Sequence, residues 1–185
     1  MDIGETLLKP LKTEVPFSTP WFDLVAKTMR PGEEPYYSLR LPDYVVVIAM
    51  TTDERVLAVR QYRPAVEQYT IEFPSGLVDA GETPADAARR ELLEETGYEA
   101  DQIEILGPMS TDNGRLSNRI WSCVATGVRP VPGRGPEDGI ELLSFSIPEL
   151  ATAITEGSFD HALHIAVLMA AVLRGKLRLA PFQPI

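Results

Sequence analysis

The apolar positions along this chain fall into two rhythms. YVVVIAMT (44–51) and RVLAVRQY (55–62) are near-continuous apolar, β-branched runs joined by the polar Thr52-Asp53-Glu54. They predict two strands buried on both faces in the middle of a layered sheet. YTIEF (69–73) predicts a third strand, stopped by Pro74-Ser75-Gly76, and further strands are expected at 102–106, 119–125 and 140–146. Helical spacing governs the rest. Residues 147–155 predict a short helix capped by Ser146, with Pro148 in its first turn. Residues 160–174, DHALHIAVLMAAVLR, predict an apolar C-terminal helix that Gly175 ends. Between them RPVPGRGPEDG (129–139) predicts a long loop, because its prolines and glycines exclude a regular element. Residues 1–42 form an N-terminal extension rich in proline and turn residues, with short apolar stretches that could be edge strands, ahead of a main domain over 43–185. Strands interspersed with helices point to an α/β layered domain with a mixed sheet.

One helix is unlike the others. Thr83-Pro84-Ala85-Asp86 predicts its start, with Thr83 as cap, Pro84 at the first helical position and Asp86 completing a capping box. Gly97 stops it, so the helix spans 84–96. At 100° per residue Ala85, Ala88 and Leu92 form the stripe that packs on the sheet, and Glu91, Glu94 and Glu95 fall on the adjoining face. Arg90 can pair with Glu94 at i,i+4, which leaves three carboxylates for one cation beside the packed face. A bare pattern of this kind is ordinarily a solvated acidic face; its place at the rim of the packed face makes divalent cations the competing explanation.

Composition narrows the possibilities. The 185 residues are 44% apolar and 24% charged, as in globular proteins, and need neither disulfide nor metal to fold. The net charge of −10 disfavours nucleic acid and anionic membranes as partners. Seven acids (Asp79, Glu82, Asp86, Glu91, Glu94, Glu95, Glu99) stand against Arg89 and Arg90 between Gly76 and Glu99. The single cysteine, Cys123, excludes an internal disulfide framework and is expected to be a small buried residue. No apolar run approaches the roughly 20 residues of a membrane span, and MDIGETLLKPLKTEV has no secretory character. The expectation is a soluble cytoplasmic protein.

Taken whole, GLVDAGETPADAARRELLEETGY resembles the signature of the Nudix hydrolases: Gly76, Glu82, Arg90, Glu91, Leu92, Glu94, Glu95, Gly97 and Tyr98 fill every fixed position at the family's spacing. The resemblance implies a Nudix-type α/β/α sandwich with a mixed β-sheet. It also implies a loop–helix–loop that binds Mg²⁺ or Mn²⁺, and hydrolysis of a nucleoside diphosphate linked to another group. Carried over by position, it makes Glu91, Glu95 and Glu94 metal ligands together with the backbone carbonyl of Ser75. Glu94 is also a candidate catalytic carboxylate. Glu82 and Arg90 would orient the metal-binding carboxylates. Hard, oxygen-rich donors of this kind suit Mg²⁺, which acts as a Lewis acid on phosphoryl oxygens.

The segment VLAVRQYRPAVEQYTIEFPSGLVDAGE looks like the ADP-ribose and nucleoside-diphosphate-sugar pyrophosphatase branch of that family. The resemblance makes Arg60 and Arg63 candidates for phosphate or ribose contacts and implies a homodimer joined through the N-terminal segment. Glu72 is either an additional acid at the site or a strand-end charge. The branch's proline marking ADP-ribose users is replaced by Asp112 or Asn113, and its loop glutamate is absent. Asp112 is the substitute candidate for the base, with Glu137, Asp138 and Glu141 as rivals. Arg115 and Arg119 either contact phosphate or fix the loop. Trp21, Tyr36 and Tyr37 either stack on a base or lie in the dimer-forming segment. His161 and His164 are expected to be packing or surface residues, because no carboxylate or cysteine pattern accompanies them in sequence. The reading is thus a Mg²⁺-dependent pyrophosphatase with a small-molecule nucleotide-sugar substrate, ADP-ribose leading. The alternatives are a dinucleotide or nucleoside triphosphate as substrate, or a non-catalytic nucleotide-binding module.

Overall fold

The computed structural model describes residues 9–178. The opening of the N-terminal extension (1–8) and the tail (179–185) lie outside the described residues. Two compact units emerge. The first takes the residues up to Pro42 together with Ser110–Arg119; the second takes Asp43–Met109 and the chain from Ile120 onward.

In the first unit the stretches read as candidate edge strands form a sheet of their own. β1 (Lys12–Ser18), β2 (Asp23–Thr28) and β3 (Tyr36–Arg40) pair antiparallel in the order β1-β2-β3. The loop 110–119 is laid along β3: the Leu39 N–H donates to the Arg115 carbonyl (2.7 Å), and the Ser117 N–H donates to the Leu39 carbonyl (3.1 Å). Every residue of β1 is exposed, Val15 and Phe17 included.

The second unit is built on β4 (Tyr44–Thr51), β5 (Val56–Arg63), β6 (Gln68–Glu72), β7 (Ser75–Leu77), β8 (Tyr98–Glu99), β9 (Gln102–Ser110), β10 (Arg119–Pro130) and β11 (Ile140–Phe145). The main path runs β11-β5-β4-β10-β8, with β6 on β5, β7 on β4 and β9 on β10. β10 runs parallel to β4, whereas β7 and β5 run antiparallel to it, so the sheet is mixed. The apolar run of β4 behaves as its composition demands. Val45, Val47 and Ala49 face one core with Ala87, Ala88 and Leu92 of α1 (Pro84–Thr96). Val46 and Ile48 face the other core, with Leu150 and Ala153 of α2 (Ile147–Thr155) and Val167, Leu168 and Ala171 of α3 (Ala162–Leu173). Alternation along one central strand thereby makes the α/β/α layering.

Several boundaries differ from expectation for identifiable reasons. β9 and β10 outrun the expected 102–106 and 119–125. The register of β10 on β4 shifts between Ala125 and Val128, where Gly127 takes a φ of +66°, and the strand then continues through Arg129 and Pro130 to pair with β8. The loop expected from 129 therefore begins after Pro130. α3 is shorter than 160–174 and leaves Asp160 and His161 ahead of its first turn. On α2 the Ser146 capping box is complete. On α1 it is half made: the Asp86 N–H donates to Thr83 Oγ1, but the Asp86 carboxylate takes the Thr83 hydroxyl instead of reaching back to the cap backbone. The packed stripe of α1 is also turned relative to the expected one. Ala87 is fully buried beside Ala88 and Leu92, while Ala85 is only half-buried. That rotation carries Glu95 inward.

Candidate active site

The signature helix sits between two loops that the sheet holds in place. β7 pairs with β4 through Val45↔Gly76 and Val46↔Ser75, so the chain entering the site is fixed by the central strand. At the far end Gly97, at φ +74°, closes α1 by donating its N–H to the Leu93 carbonyl (2.8 Å). The 131–137 segment folds back over this end. The Val131 N–H donates to the Gly97 carbonyl (2.9 Å), and the Glu137 N–H donates to the Glu94 carbonyl (3.1 Å).

Arg90 is the hub of the acidic cluster. Its Nε and Nη2 donate to the two oxygens of Glu82 (3.0 and 2.9 Å). Nη1 donates to Glu91 (2.6 Å) and Glu94 (3.1 Å), and Nη2 also reaches the Leu77 carbonyl (2.8 Å). One guanidinium thus ties the entry loop to the helix and partly neutralises three carboxylates. Its own pKa is driven up, first by the Glu82 hydrogen bonds and then, against burial, by Glu91 and Glu94. Glu82 is held below the usual carboxylate range by the same contact.

Glu95 lies outside Arg90's reach. It is 7% exposed, and its Oε2 accepts the Ser75 N–H at 2.9 Å. Burial pushes its pKa up to about 7; the Ser75 N–H opposes this, and the neighbouring charge of Glu91 adds to it. Glu91 is also shifted up, chiefly by burial, with Arg90 opposing and Glu94 and Glu137 contributing repulsion. Two adjacent carboxylates raised chiefly by burial form a poorly solvated acidic site whose charged forms a cation would favour. The glycine beside them closes the cradle: a Cβ on Gly76 would overlap the Glu91 carboxylate. The donor set therefore fits a hard divalent cation held by Glu91, Glu95 and Glu94 with the Ser75 carbonyl. Arg90 holds Glu91 and Glu94, and among the described residues these carboxylates are not grouped with Glu95 within the 4.8 Å that groups Glu72 with the two histidines.

The other expected residues are distributed as follows. Arg63 donates to both oxygens of Glu72 (2.9 and 2.7 Å), and Thr70 donates to the same carboxylate (2.6 Å). Glu72, 2% exposed, is thus an internal ion-pair partner rather than a strand-end charge. Burial alone would raise its pKa, but Arg63 and Thr70 overcome that and take it to about 2. Arg60 pairs with Glu141 (2.9 Å) and lies over the Tyr69 ring at 4.4 Å. In the first unit Asp112 shapes its own loop: its Oδ1 accepts the Gly114 N–H (2.8 Å) and its carbonyl accepts those of Arg115 and Leu116. Arg115 reaches the Gly114 carbonyl (2.8 Å) and the Tyr36 hydroxyl (3.4 Å), and Tyr36 itself donates to the Gly114 carbonyl. Arg119 donates to Ser110 (2.6 Å). Cys123 is buried, as expected.

The two histidines do have a carboxylate beside them, contrary to the sequence-based expectation. β6 brings Glu72 to the start of α3, where it, His161 and His164 have ligand-type atoms within 4.8 Å of one another. His164 is a packing residue, as expected: it is buried, its Nδ1 accepts the Phe73 N–H (3.0 Å), and its pKa is pushed down to about 3 by burial and then by His161. The rings of His161 and His164 stack 3.9 Å apart at 28°, which points their in-plane lone pairs side by side rather than at one ion. Arg63 meanwhile neutralises Glu72. Sequence reasoning missed this cluster because its members meet only through the pairing of β6 with β5 and the docking of α3.

Comparison with known proteins agrees with this geometry. The family pattern described as NUDIX domain matches residues 40–160, more than half of the chain. A methanol dehydrogenase activator from Bacillus methanolicus is 35% identical over 133 residues, which cover 70% of this chain and 72% of that protein. An ADP-sugar pyrophosphatase from Mus musculus is 38% identical over 109 residues, 55% of this chain but only 50% of that enzyme. The ADP compounds hydrolase NudE of Escherichia coli (strain K12) is 27% identical over 124 residues, covering 66% and 67%. A crystal structure of an ADP compounds hydrolase superposes with a TM-score of 0.74 at 23% identity, spanning 94% of this chain and all of that one, and shows the shared fold. With Glu82, Glu91 and Glu94 of the signature gathered about Arg90 on the helix that the layered sheet positions, and with that match running through the same residues, the chain belongs to the Nudix hydrolase family.

Proposed function

We propose that this hydrolase cleaves the diphosphate bond of a nucleoside diphosphate sugar in a Mg²⁺- or Mn²⁺-dependent reaction, with ADP-ribose, giving AMP and ribose 5-phosphate, as the leading substrate. The observation that carries this reading is the largely buried carboxylate pair Glu91 and Glu95 beside the Gly76 cradle. A cation bound there supplies Lewis-acid stabilisation of the phosphoryl oxygens and acidifies the attacking water. The chain's own residues do the rest. Ser75 N–H and Arg90 orient the carboxylates. Glu137 is the carboxylate we assign to removing the water's proton: its backbone is anchored on Glu94 and its charge is felt by Glu91. Asp112 is the rival for that role, although its Oδ1 is engaged in its own turn. Arg60 and Arg115 remain candidates for substrate contact, since each guanidinium reaches solvent beside its present partners. The names of the ADP-sugar pyrophosphatase and ADP compounds hydrolase relatives support the substrate class.

A homodimer formed through β1 is part of the same reading, supported by a strand whose seven residues are all exposed. A cytoplasmic location is supported by the single buried thiol, and no described helix is long and apolar enough to cross a membrane.

The test is a hydrolysis screen with Mg²⁺, each substrate with a chelator control, resolved by chromatography. Chelator-sensitive release of AMP from ADP-ribose is the expected result. Turnover only of dinucleotides or nucleoside triphosphates transfers the substrate, and no turnover of any of them overturns the pyrophosphatase reading. Comparing Glu137→Gln with Asp112→Asn assigns the base, since only loss of the base lowers kcat by orders of magnitude.

A further inference from the structure

A channel leads away from the signature site into a part of the molecule that the chemistry above does not use. One cavity of about 280 Å³ is lined by Ser75 and Gly76 together with Arg63, Glu72 and His161. A second, of about 410 Å³, shares those last three residues and continues to Gln68 and Asp160. The latter volume is in the range of small-molecule sites.

The polar groups along it indicate what it accepts. His161 Nδ1 is buried and has no hydrogen-bond partner among the described residues. A buried ring nitrogen left in that state is costly, and a ligand hydroxyl, which can both donate and accept, would relieve it. The side chains of Gln68 and Asp160 likewise have no hydrogen-bond or ion-pair partner among the described residues. Arg63 and Glu72 cancel each other's charge through their paired hydrogen bonds, so Asp160 leaves the lining formally negative. An additional phosphate is therefore repelled, whereas a neutral polyol finds a carboxylate, an amide and an imidazole nitrogen, with the apolar edges of Val66 and Ala162 beside them.

We infer that this channel is the subsite for the sugar of the nucleoside diphosphate sugar, with Asp160, His161 and Gln68 as its specificity-determining residues. The inference rests on the pyrophosphatase reading. Sugar hydroxyls donate to the Asp160 carboxylate, exchange a hydrogen bond with His161 Nδ1 and accept from the Gln68 amide. The negative lining selects a diphosphate that ends in a hydroxylated ring over one that continues into further phosphate.

The test compares ADP-ribose with the methyl ester of ADP, which carries the same adenosine diphosphate but no terminal sugar, in wild type, His161→Phe and Asp160→Ala. Phenylalanine keeps the ring that stacks on His164 and removes only the nitrogen. The expected result is that the ratio of kcat/KM for ADP-ribose to that for the methyl ester falls about tenfold in each variant, the loss of roughly one good hydrogen bond. A ratio unchanged from wild type, with both substrates falling together or neither falling, overturns the sugar subsite. If wild type cleaves neither compound, the pyrophosphatase reading is what has failed. Calorimetric affinities for the same two compounds then decide the subsite: a tenfold loss confined to ADP-ribose supports it, and equal affinities in wild type and variants overturn it.

Discussion

Replacing Gly76 by alanine separates the function of the signature from its contribution to folding. Gly76 is paired with Val45 in the sheet and is not among the glycines with positive φ, so alanine meets no backbone strain there. The added methyl would instead lie inside 3.0 Å of Glu91 Cδ and of both its carboxylate oxygens. The strand cannot retreat, because β4 holds it, and α1 cannot, because Ala88 and Leu92 are packed beneath it. The carboxylate has to move by about 1.5 Å to reach ordinary contact distance. That motion breaks the 2.6 Å contact with Arg90, a partly solvated charge-assisted hydrogen bond worth about 1–2 kcal/mol. Reduced chain entropy in the unfolded state returns about 0.4–1 kcal/mol. The net stability loss is therefore about 1 kcal/mol. A metal ligand displaced by that distance, in contrast, costs on the order of 100-fold in turnover. Steady-state hydrolysis of ADP-ribose against Mg²⁺ concentration, with urea unfolding of the same preparations, measures both quantities. In the Glu91→Ala background the Gly76 change should add little, because both act through one carboxylate. Near-normal kcat in Gly76→Ala, or losses that multiply in the double variant, would refute the reasoning.

The remaining predictions divide in the same way between chemistry and stability. Gly97→Ala should do the reverse of Gly76→Ala: at φ +74° its Cβ meets the Gly135 Cα at 2.9 Å and the Arg134 carbonyl at 3.0 Å, backbone that cannot swing aside, so stability falls by about 2–4 kcal/mol in urea unfolding. Glu95→Gln should keep the Ser75 contact and the fold but lower kcat by orders of magnitude, and should abolish most of the rise in thermal midpoint that Mg²⁺ produces in wild type; an undiminished rise removes Glu95 from the ligand set. Arg63→Ala should cost about 2–3 kcal/mol at pH 7, below the usual figure for an orphaned buried charge because Arg63 is 43% exposed. Since Glu72 titrates at about 2 in the fold against an ordinary 4.5, its contribution is full above pH 4.5 and is lost as the pH falls toward 2, so the gap between wild type and Arg63→Ala should close over that window. His164 is depressed from 6.5 to about 3, so the unfolded chain binds its proton first and stability should fall as the pH drops from 6.5 toward 3; His164→Asn should flatten that slope in pH-dependent thermal unfolding.

What could be read from the sequence alone was whatever a few neighbouring residues decide. The span of α1 follows from Thr83, Pro84 and Gly97, which act within one turn of each end, and the complete capping box of α2 follows from Ser146 and Glu149. The burial of β4 on both faces follows from a run with no polar residue to turn toward water. The i,i+4 spacing of Arg90 and Glu94 already implied one contact of the Arg90 hub, whereas its contacts with Glu91 and with Glu82 of the entry loop depended on the fold. Which face of α1 turned inward was a tertiary matter: the sheet took Ala87 with Ala88 and Leu92, and so drew Glu95 into a poorly solvated position where its ionisation is disfavoured. The same holds for the 110–119 loop joining the N-terminal sheet, for Glu137 arriving over the end of α1, and for Glu72 meeting Arg63, His161 and His164. Each of these needs strands or helices far apart in the chain to pair first. A charge or a ring nitrogen has no preferred partner in the sequence; burial removes its water, and whichever group the fold brings within hydrogen-bonding distance becomes its partner.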